Sequence, residues 1–409
     1  MLTYYIIGFC GIYQLYLLRQ QGYKVKLIDR ASDAGGVWQW NRYPGAMSDS
    51  ESYIYRYSWD KELLNSWELK NNYAKQSEIL AYLQLVVERH NLREDMKFNT
   101  DLVGAQWNET SEKWEVETAQ GVQFTTRYLV TGLGHFSKVN YPDIKGLDSF
   151  QGDIYHTSRW PADCDLTGKR VAVLGNGSTG MQVICALGND PKIAQLTSFQ
   201  RTPQYTVPAR DGPMDPKRIE EIKSSYDQIW DNVFHSKVGL SEYISSSLLE
   251  TLHYRLTKTD VDESTTPFGS VSPEEHRRKL QECWDMGGGV RFLHSFSDIL
   301  QNMEANLYVC DFIKEKIANT VKDPEKRRKL TPKELYARRP ICDNGYYGTF
   351  NNENVDLVSL EETPITEVTS RGIKTSDNVE REFDAIVLAT GFGKSGFLFC
   401  SLFVRTCQS

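Results

Sequence analysis

Paired cysteines, long apolar runs and an excess of basic charge are what this 409-residue sequence lacks. Its eight cysteines are scattered from Cys10 to Cys407 with no C-x-x-C pair. That excludes a zinc site and a disulfide framework, and it points to a reducing, cytoplasmic setting. The longest apolar stretches, such as Phe397-Leu398-Phe399-Cys400, fall far short of the roughly 20 residues a membrane helix needs, so no membrane partner is expected. Lys plus Arg number 47 against 54 Asp plus Glu, a net charge of −7, and no basic stripe is visible. Nucleic acid, which is held through phosphate contacts, is therefore not an expected partner. What remains is an ordinary globular composition, 40% hydrophobic and 25% charged. At roughly 150 residues per domain the length suggests two or three domains. With the first structural signal at residue 4, no secretory leader is expected.

That signal comes at once. Tyr4-Tyr5-Ile6-Ile7 reads as a buried strand, Gly8-Phe9-Cys10-Gly11 as a turn, and Ile12, Leu15, Tyr16 and Leu18 as the apolar positions of a helix that stops before Gly22. Val25-Lys26-Leu27-Ile28 is a second strand, and it ends in Asp29. Strand, glycine turn, helix, strand and terminal acid make the βαβ dinucleotide unit, whose helix N-terminus holds a pyrophosphate and whose acid holds a ribose hydroxyl pair. Gly8, Gly11 and Asp29 are the candidates for those contacts. The turn is two residues shorter than G-x-G-x-x-G, and the same residues would serve an ordinary βαβ turn equally well.

A second unit is complete. Val171-Ala172-Val173-Leu174 runs into Gly175-Asn176-Gly177-Ser178-Thr179-Gly180 and then an apolar helix from Met181 to Leu187. Gly175 permits the tight turn, Gly177 the close approach of a phosphate, and Gly180 the packing of helix on sheet. The following strand, Leu196 to Phe199, leads to Gln200-Arg201-Thr202 where an acid would otherwise stand. An acid would repel a 2′-phosphate, whereas an arginine beside a hydroxyl would bind it. The nucleotide expected here is NADP(H), with Ser178, Thr179, Arg201 and Thr202 around its phosphates.

Two dinucleotide units in one chain usually mean a flavin on one and a nicotinamide on the other, with a hydride passing between them. The buried runs Tyr128-Leu129-Val130-Thr131-Gly132 and Phe383 to Gly391, the latter ending in Ala389-Thr390-Gly391, suit strands that end beside a nucleotide. Thr131 joins the candidate contacts on that ground. Trp38, Trp40 and Tyr55, near Gly35-Gly36, are candidates to wall a flavin ring.

Phe150-Gln151-Gly152-Asp153-Ile154-Tyr155-His156-Thr157-Ser158-Arg159-Trp160-Pro161 fits F-x-G-x-x-x-H-x-x-x-W-P at every fixed position. Here the sequence resembles the flavin-dependent Baeyer–Villiger monooxygenases of the cyclohexanone-monooxygenase-like kind. Gly35-Gly36-Val37-Trp38-Gln39-Trp40-Asn41-Arg42-Tyr43-Pro44-Gly45, followed by Asp49-Ser50-Glu51-Ser52, is similar to a second block of that family. Phe199-Gln200-Arg201-Thr202-Pro203 and Arg338-Arg339-Pro340-Ile341-Cys342-Asp343-Asn344-Gly345-Tyr346-Tyr347 are similar to two more. The resemblance runs from residue 4 to about 393.

The resemblance implies FAD and NADP as cofactors, and a ketone and O2 as small-molecule partners. The product would be an ester or lactone with one oxygen inserted beside the carbonyl. A peroxide carried on the reduced flavin adds to the carbonyl, and every later stage holds negative charge near one point, so a fixed cation in a water-poor site is required. The family pattern places Arg339 in that role, with Asp49 holding its guanidinium, and puts Arg338 on the NADP phosphate beside Arg201. Gly36 would lie against the flavin. His156 is expected to tie the linker between the two nucleotide domains by hydrogen bonds and not to act as a base.

The fold expected is α/β, two Rossmann-like dinucleotide-binding domains with a helical insertion. The divisions read from the sequence are a flavin domain over 1–149 with its linker from about 141, a nicotinamide domain over 150–210 and 333–382, a helical insertion over 211–332, and a final flavin part over 383–409. Residues 103–126, with Trp107, Trp114 and Val116 alternating, read as an antiparallel excursion. After Phe392 the family pattern is lost, so the flavin domain is expected to be incomplete. Two alternatives stay open: a relative that binds NADP(H) without holding FAD productively, and an N- or S-hydroxylating flavin monooxygenase.

Overall fold

A computed structural model describes the chain at residues 2–5, 7–134, 136–235, 266–337, 341–393 and 403–404. The chain opens as strand β1 (Leu2–Tyr5), helix α1 (Phe9–Gln20) and strand β2 (Val25–Ile28), with the strands parallel. Helix α1 starts directly at Gly8 and ends before Gly22, whose φ of 80° closes the last turn at no cost to a residue without a Cβ. Its buried face, Gly11, Ile12 and Leu15, packs with Val25 and Leu27 of β2.

Next come α2 (Val37–Trp40), the antiparallel pair β3 (Met47–Glu51) and β4 (Tyr73–Lys75), α3 (Lys61–Ser66) and α4 (Gln76–Arg89). In α4 the buried Ile79, Tyr82, Leu83, Val86 and Val87 recur at three- and four-residue spacing and cover the same core as α1. Strands β5 (Met96–Lys97) and β9 (Tyr128–Thr131) complete a four-stranded sheet of order β5-β2-β1-β9. Between them β6 (Leu102–Asn108), β7 (Lys113–Thr118) and β8 (Gln123–Thr126) form the expected antiparallel excursion, with Trp107 opposite Trp114. Residues Phe403–Val404 add a parallel strand to β6.

The second sheet contains β10 (Asp153–His156), β11 (Arg170–Leu174), β12 (Gln195–Gln200), β15 (Val355–Ser359) and β19 (Ala385–Leu388). Its order is β10-β19-β11-β12-β15, with every pair parallel. Strands covered on both faces read as unbroken apolar runs, and Val171 to Leu174 and Ala385 to Leu388 are buried throughout. Helix α5 (Ser178–Gly188) crosses from β11 to β12. Beside this sheet lie the short parallel pair β13 (Thr206–Pro208) and β14 (Ile341–Asp343), and the meander β16 (Ile365–Val368), β17 (Gly372–Thr375) and β18 (Glu380–Glu382).

One division read from the sequence changes. The sequence places 383–409 in the flavin domain, yet β19 lies inside the second sheet, between β10 and β11. The Arg170 guanidinium fixes it there by pairing with Asp384 through Nε and Nη2 at 3.1 and 2.9 Å. Only after Thr390 does the chain leave, pairing Gly391 with Asn140 and Phe392 with Val139 on the linker. A buried run ending in Ala-Thr-Gly has the same pattern in either sheet, so pairing partners alone separate the two.

Helices α6 (Pro216–Ser224) and α7 (Tyr226–His235), with Pro273–Met286, Gly289–Leu293, Met303–Thr320 and Pro324–Leu330, make up the described part of the insertion. Asp215, Ser272 and Asp323 each cap a first-turn amide ahead of a proline, so the sequence itself marks where three of these helices start. The charge runs face solvent in ion pairs such as Arg277–Glu315. No helix among the described residues is long and apolar enough to cross a membrane. Phe199 is fully buried where β12 meets Phe383, ring edge to ring face at 5.8 Å. Phe199→Ala is expected to cost about 3–5 kcal/mol, read as a lower urea midpoint at unchanged slope.

Candidate functional site

The complete glycine turn is shaped for a dinucleotide phosphate. Gly175 has φ +107°, and a Cβ there would stand 2.6 Å from the Ala389 carbonyl. A Cβ on Gly180 would collide with the Gly175 carbonyl at 2.1 Å, whereas one on Gly177 would meet nothing within 4 Å. The turn is therefore closed behind and open in front, where the first amides of α5, at Ser178, Thr179 and Gly180, begin a helix with no side-chain cap. Asn176 donates to the Thr202 carbonyl at 2.9 Å and draws Gln200-Arg201-Thr202 to the mouth of the turn. Arg201 is exposed there and Thr202 half-buried, as a 2′-phosphate contact requires. These residues fit a nicotinamide dinucleotide.

The first turn is tighter. Gly8 begins α1 with no side-chain cap, and a Cβ on it would lie 3.5 Å from the Gly36 Cα, so the two glycine segments touch. Gly36, at φ +55°, starts α2, and Gly35 donates to the Ile7 carbonyl at 2.7 Å. Gly11 is buried within α1. Beside this turn Trp38 Nε1 donates to the Tyr55 hydroxyl at 3.2 Å, and Phe9 packs edge-on to Tyr55 with centroids 5.1 Å apart. Thr131 sits level with Tyr5 at the end of β9. An uncapped helix start and an aromatic wall fit the pyrophosphate and ring of a flavin dinucleotide.

Asp29, the acid expected at a ribose, is only 2% exposed, and its two carboxylate oxygens accept from Ile7 N at 2.6 Å and Ala31 N at 2.9 Å. Burial pushes its carboxyl above the ordinary range, against the pull of the Ile7 and Ala31 amides. In this shortened turn the acid stitches strand to loop. The half-buried Arg30 beside it lies 5.8 Å from the Trp40 ring centroid, and Arg159 lies over the same ring at 4.3 Å.

What joins the two turns is the Asn41-Arg42-Tyr43-Pro44-Gly45 segment. Gly45, at φ +80°, comes so close to α5 that a Cβ would stand 2.6 Å from the Gln182 carbonyl. Tyr43 donates to Gln182 Oε1 at 2.9 Å and lies 3.5 Å from Thr179 Oγ1. Gln182 Nε2 in turn donates to the Met47 carbonyl at 3.1 Å, at the start of β3. The strand that carries Asp49 is thus seated on the helix that starts at the complete glycine turn. Asp49 is half-buried, and its charge adds to burial in raising the Tyr43 phenol. The one signal of Gln182 in the sequence is a polar residue inside the apolar run Met181 to Leu187. Arg339 and Arg338 lie outside the described residues.

His156 behaves as a linker anchor. It is 3% exposed, and its Nδ1 accepts from Ser158 N at 3.2 Å and meets Ser158 Oγ at 2.9 Å. That pattern assigns the proton to Nε2, which faces the Asn140 backbone and lies 3.4 Å from Thr390 Oγ1. Thr390 donates to the Asn140 carbonyl at 2.6 Å, and Asn140 Nδ2 returns a bond to Thr390 O at 3.1 Å. Burial, with the Arg159 charge behind it, lowers the imidazole pKa to about 4, so it is neutral near pH 7.

Residues 8–237 match a sequence-family profile described as pyridine nucleotide-disulphide oxidoreductase. A phenazine N-monooxygenase of Lysobacter antibioticus is 45% identical, over 94% of this chain and 68% of its own length. A cyclohexanone 1,2-monooxygenase of Acinetobacter is 44% identical over 94% of this chain and 67% of its own. The crystal structure of cyclohexanone monooxygenase from Rhodococcus sp. Phi1 bound to NADP+ superposes with a TM-score of 0.91 at 43% identity, covering 99% of this chain and 73% of that one.

Two outcomes follow from the geometry. Gly45→Ala forces a left-handed backbone and a clash with α5, and is expected to cost about 2–4 kcal/mol, seen as a lowered melting temperature. Because the His156 pKa falls from 6.5 to about 4 on folding, the unfolded chain binds the extra proton between those values. Its share of stability is complete above about pH 6.5 and is lost as pH falls toward 4. Urea titrations of the parent and His156→Gln across that window should show a shallower pH slope in the variant; identical slopes would refute the assignment.

Proposed function

The chain belongs to the flavin-dependent Baeyer–Villiger monooxygenase family, and from that premise we propose how its residues carry out the reaction. It is an NADPH- and FAD-dependent monooxygenase that places one oxygen of O2 next to a ketone carbonyl, giving an ester or lactone. The flavin, reduced by NADPH, supplies the activated oxygen. The protein's part is to bind, orient and keep water out.

One observation carries the assignment of roles: β3, with Asp49, is docked through Tyr43, Gly45 and Met47 on the helix that starts at the nicotinamide turn. The two halves of the reaction are thereby held by one rigid contact. On the nicotinamide side Gly175, Gly177, Ser178, Thr179 and Gly180 receive the pyrophosphate, and Arg201, Thr202 and Arg338 the 2′-phosphate. On the flavin side Gly8, Gly11 and Gly36 approach the phosphates, Trp38 and Tyr55 stand against the ring, and Thr131 closes the end of β9. Asp29 shapes the turn from within. Arg339 supplies the fixed cation that the negative charge of oxygen transfer requires, and Asp49 holds that guanidinium in place. An arginine suits the task because it stays protonated and donates as a rigid fork.

The substrate is a ketone small enough to reach this site. Oxygen transfer to an aromatic nitrogen is the second reading, favoured by the 45% identity to a phenazine N-monooxygenase. Both are tested together by incubating the flavin-loaded protein with NADPH and separate cyclic ketones, linear ketones and phenazine, and identifying esters, lactones or N-oxides by mass spectrometry. Arg339→Ala is expected to go on oxidising NADPH while ester formation falls by roughly 100-fold or more. Ester formation at the parental rate would remove Arg339 from its role, and failure of the parent to oxygenate any compound would overturn the proposal itself.

A further inference from the structure

Behind β3, the buried Arg291 and the half-buried Arg218 converge on one buried carboxylate. Glu51 is 4% exposed and stands two residues after Asp49. Arg218 Nη2 donates to its two oxygens at 3.1 and 3.3 Å, and Arg291 Nη2 reaches Oε1 at 3.4 Å. Arg218 also donates to Asn72 Oδ1 at 3.1 Å, next to β4. Burial opposes the charge on Glu51, but Arg218 and Arg291 outweigh it and hold the carboxyl below its ordinary range. The Arg291 fork is split: Nη1 donates to the Gly287 carbonyl at 2.6 Å while Nη2 faces Glu51.

Arg291 sits on the five-residue helix Gly289–Leu293, and the same helix grips a second strand. Gly289 N donates to Cys342 Sγ at 2.8 Å, and Gly288 N to the Pro208 carbonyl at 3.0 Å, so the triple glycine is laid across β13 and β14. Glycine is required for this approach. Gly287 has φ +80° and a Cβ on it would stand 2.7 Å from the Ala209 carbonyl. One side of this bracket thus holds the strand bearing Asp49, and the other holds β14, whose first residue, Ile341, follows Arg339 by two positions.

We propose that Arg291 is a positioning residue for oxygen transfer: through Glu51 on one side and the Gly289–Cys342 contact on the other, it fixes the spacing between the strand of Asp49 and the strand that follows Arg339. The inference rests on the roles given to Asp49 and Arg339 above. A guanidinium that stabilises negative charge must be placed to within a fraction of an ångström, and a small displacement costs rate steeply. In the coupled reaction NADPH, a proton, O2 and ketone give NADP+, water and ester. When the oxygen acceptor site is misplaced, NADPH, a proton and O2 give NADP+ and hydrogen peroxide instead.

The test uses the flavin-loaded protein with a ketone that the parent oxidises, and compares Arg291→Met and Arg291→Lys with the parent. NADPH consumption is expected to stay within about twofold, while ester formed per NADPH falls on the order of tenfold in Arg291→Met, with hydrogen peroxide making up the balance and Arg291→Lys in between. A second readout needs no turnover. In hydrogen exchange of the flavin-free protein, peptides covering Met47–Glu51 and Ile341–Asp343 should both lose protection in Arg291→Met, while Arg170–Leu174 is unchanged. If Arg291→Met does not fold, Arg291→Lys and Glu51→Asp carry both readouts. Parental coupling, or protection lost at only one strand or at neither, overturns the inference. If the parent makes no ester, or Arg339→Ala still makes it, the reading beneath has failed instead; parental coupling in the Arg291 variants beside an uncoupled Arg339→Ala isolates the failure to Arg291.

Discussion

The approach of the Pro44–Gly45 turn to the backbone of α5 is the contact on which the rest of this protein depends. Two cofactors on two separate sheets can exchange a hydride only if the distance between their phosphate turns is held. Here it is held where a side chain would not fit: a Cβ on Gly45 would stand 2.6 Å from the Gln182 carbonyl. Tyr43 and the Met47 carbonyl add a hydrogen bond on either side of that point, both to the Gln182 side chain. Backbone contact of this kind leaves little room for sliding, because interiors are close-packed and deform in discrete steps.

A second connection runs along the linker and is of a different type. The buried, neutral His156 forms a small polar knot with the half-buried Thr390 and the exposed Asn140 where the chain passes from one sheet toward the other. Its bonds are individually modest, about 1 kcal/mol each.

The shortened first turn changes how the flavin side is built. With two residues fewer than the usual fingerprint, the chain has less loop to satisfy its own amides, and Asp29 moves in to accept from Ile7 and Ala31. Buried polar groups must be paired, and both carboxylate oxygens of this buried acid are. Recognition of a dinucleotide at this turn then rests on the start of α1, on the Gly35-Gly36 segment touching Gly8 and on the aromatic wall of Trp38 and Tyr55.

The sequence by itself determined the two βαβ units, the antiparallel excursion, the starts of three insertion helices and the complete glycine turn of the second unit. Each of these is set by local chemistry: apolar runs of strand length, glycines at fixed spacing, Asp-Pro and Ser-Pro caps, an arginine in place of an acid. What only the tertiary structure decided is how those pieces meet. Asp29 could not be seen to turn inward, because one of its partner amides, Ile7 N, is reached only once β1 and β2 pair. The run ending at Thr390 could not be assigned to a sheet, because both sheets accept the same pattern and only pairing with β10 and β11 distinguishes them. Gln182 carried no motif, and the family-like block around Glu51 gave no sign of its partners; what they do comes from contacts far away in the chain, Gln182 with Tyr43 and Glu51 with Arg218 and Arg291. Local spacing encodes what a segment is; distant contacts between segments, chosen by close packing and by the need to pair every buried charge, determine what it does.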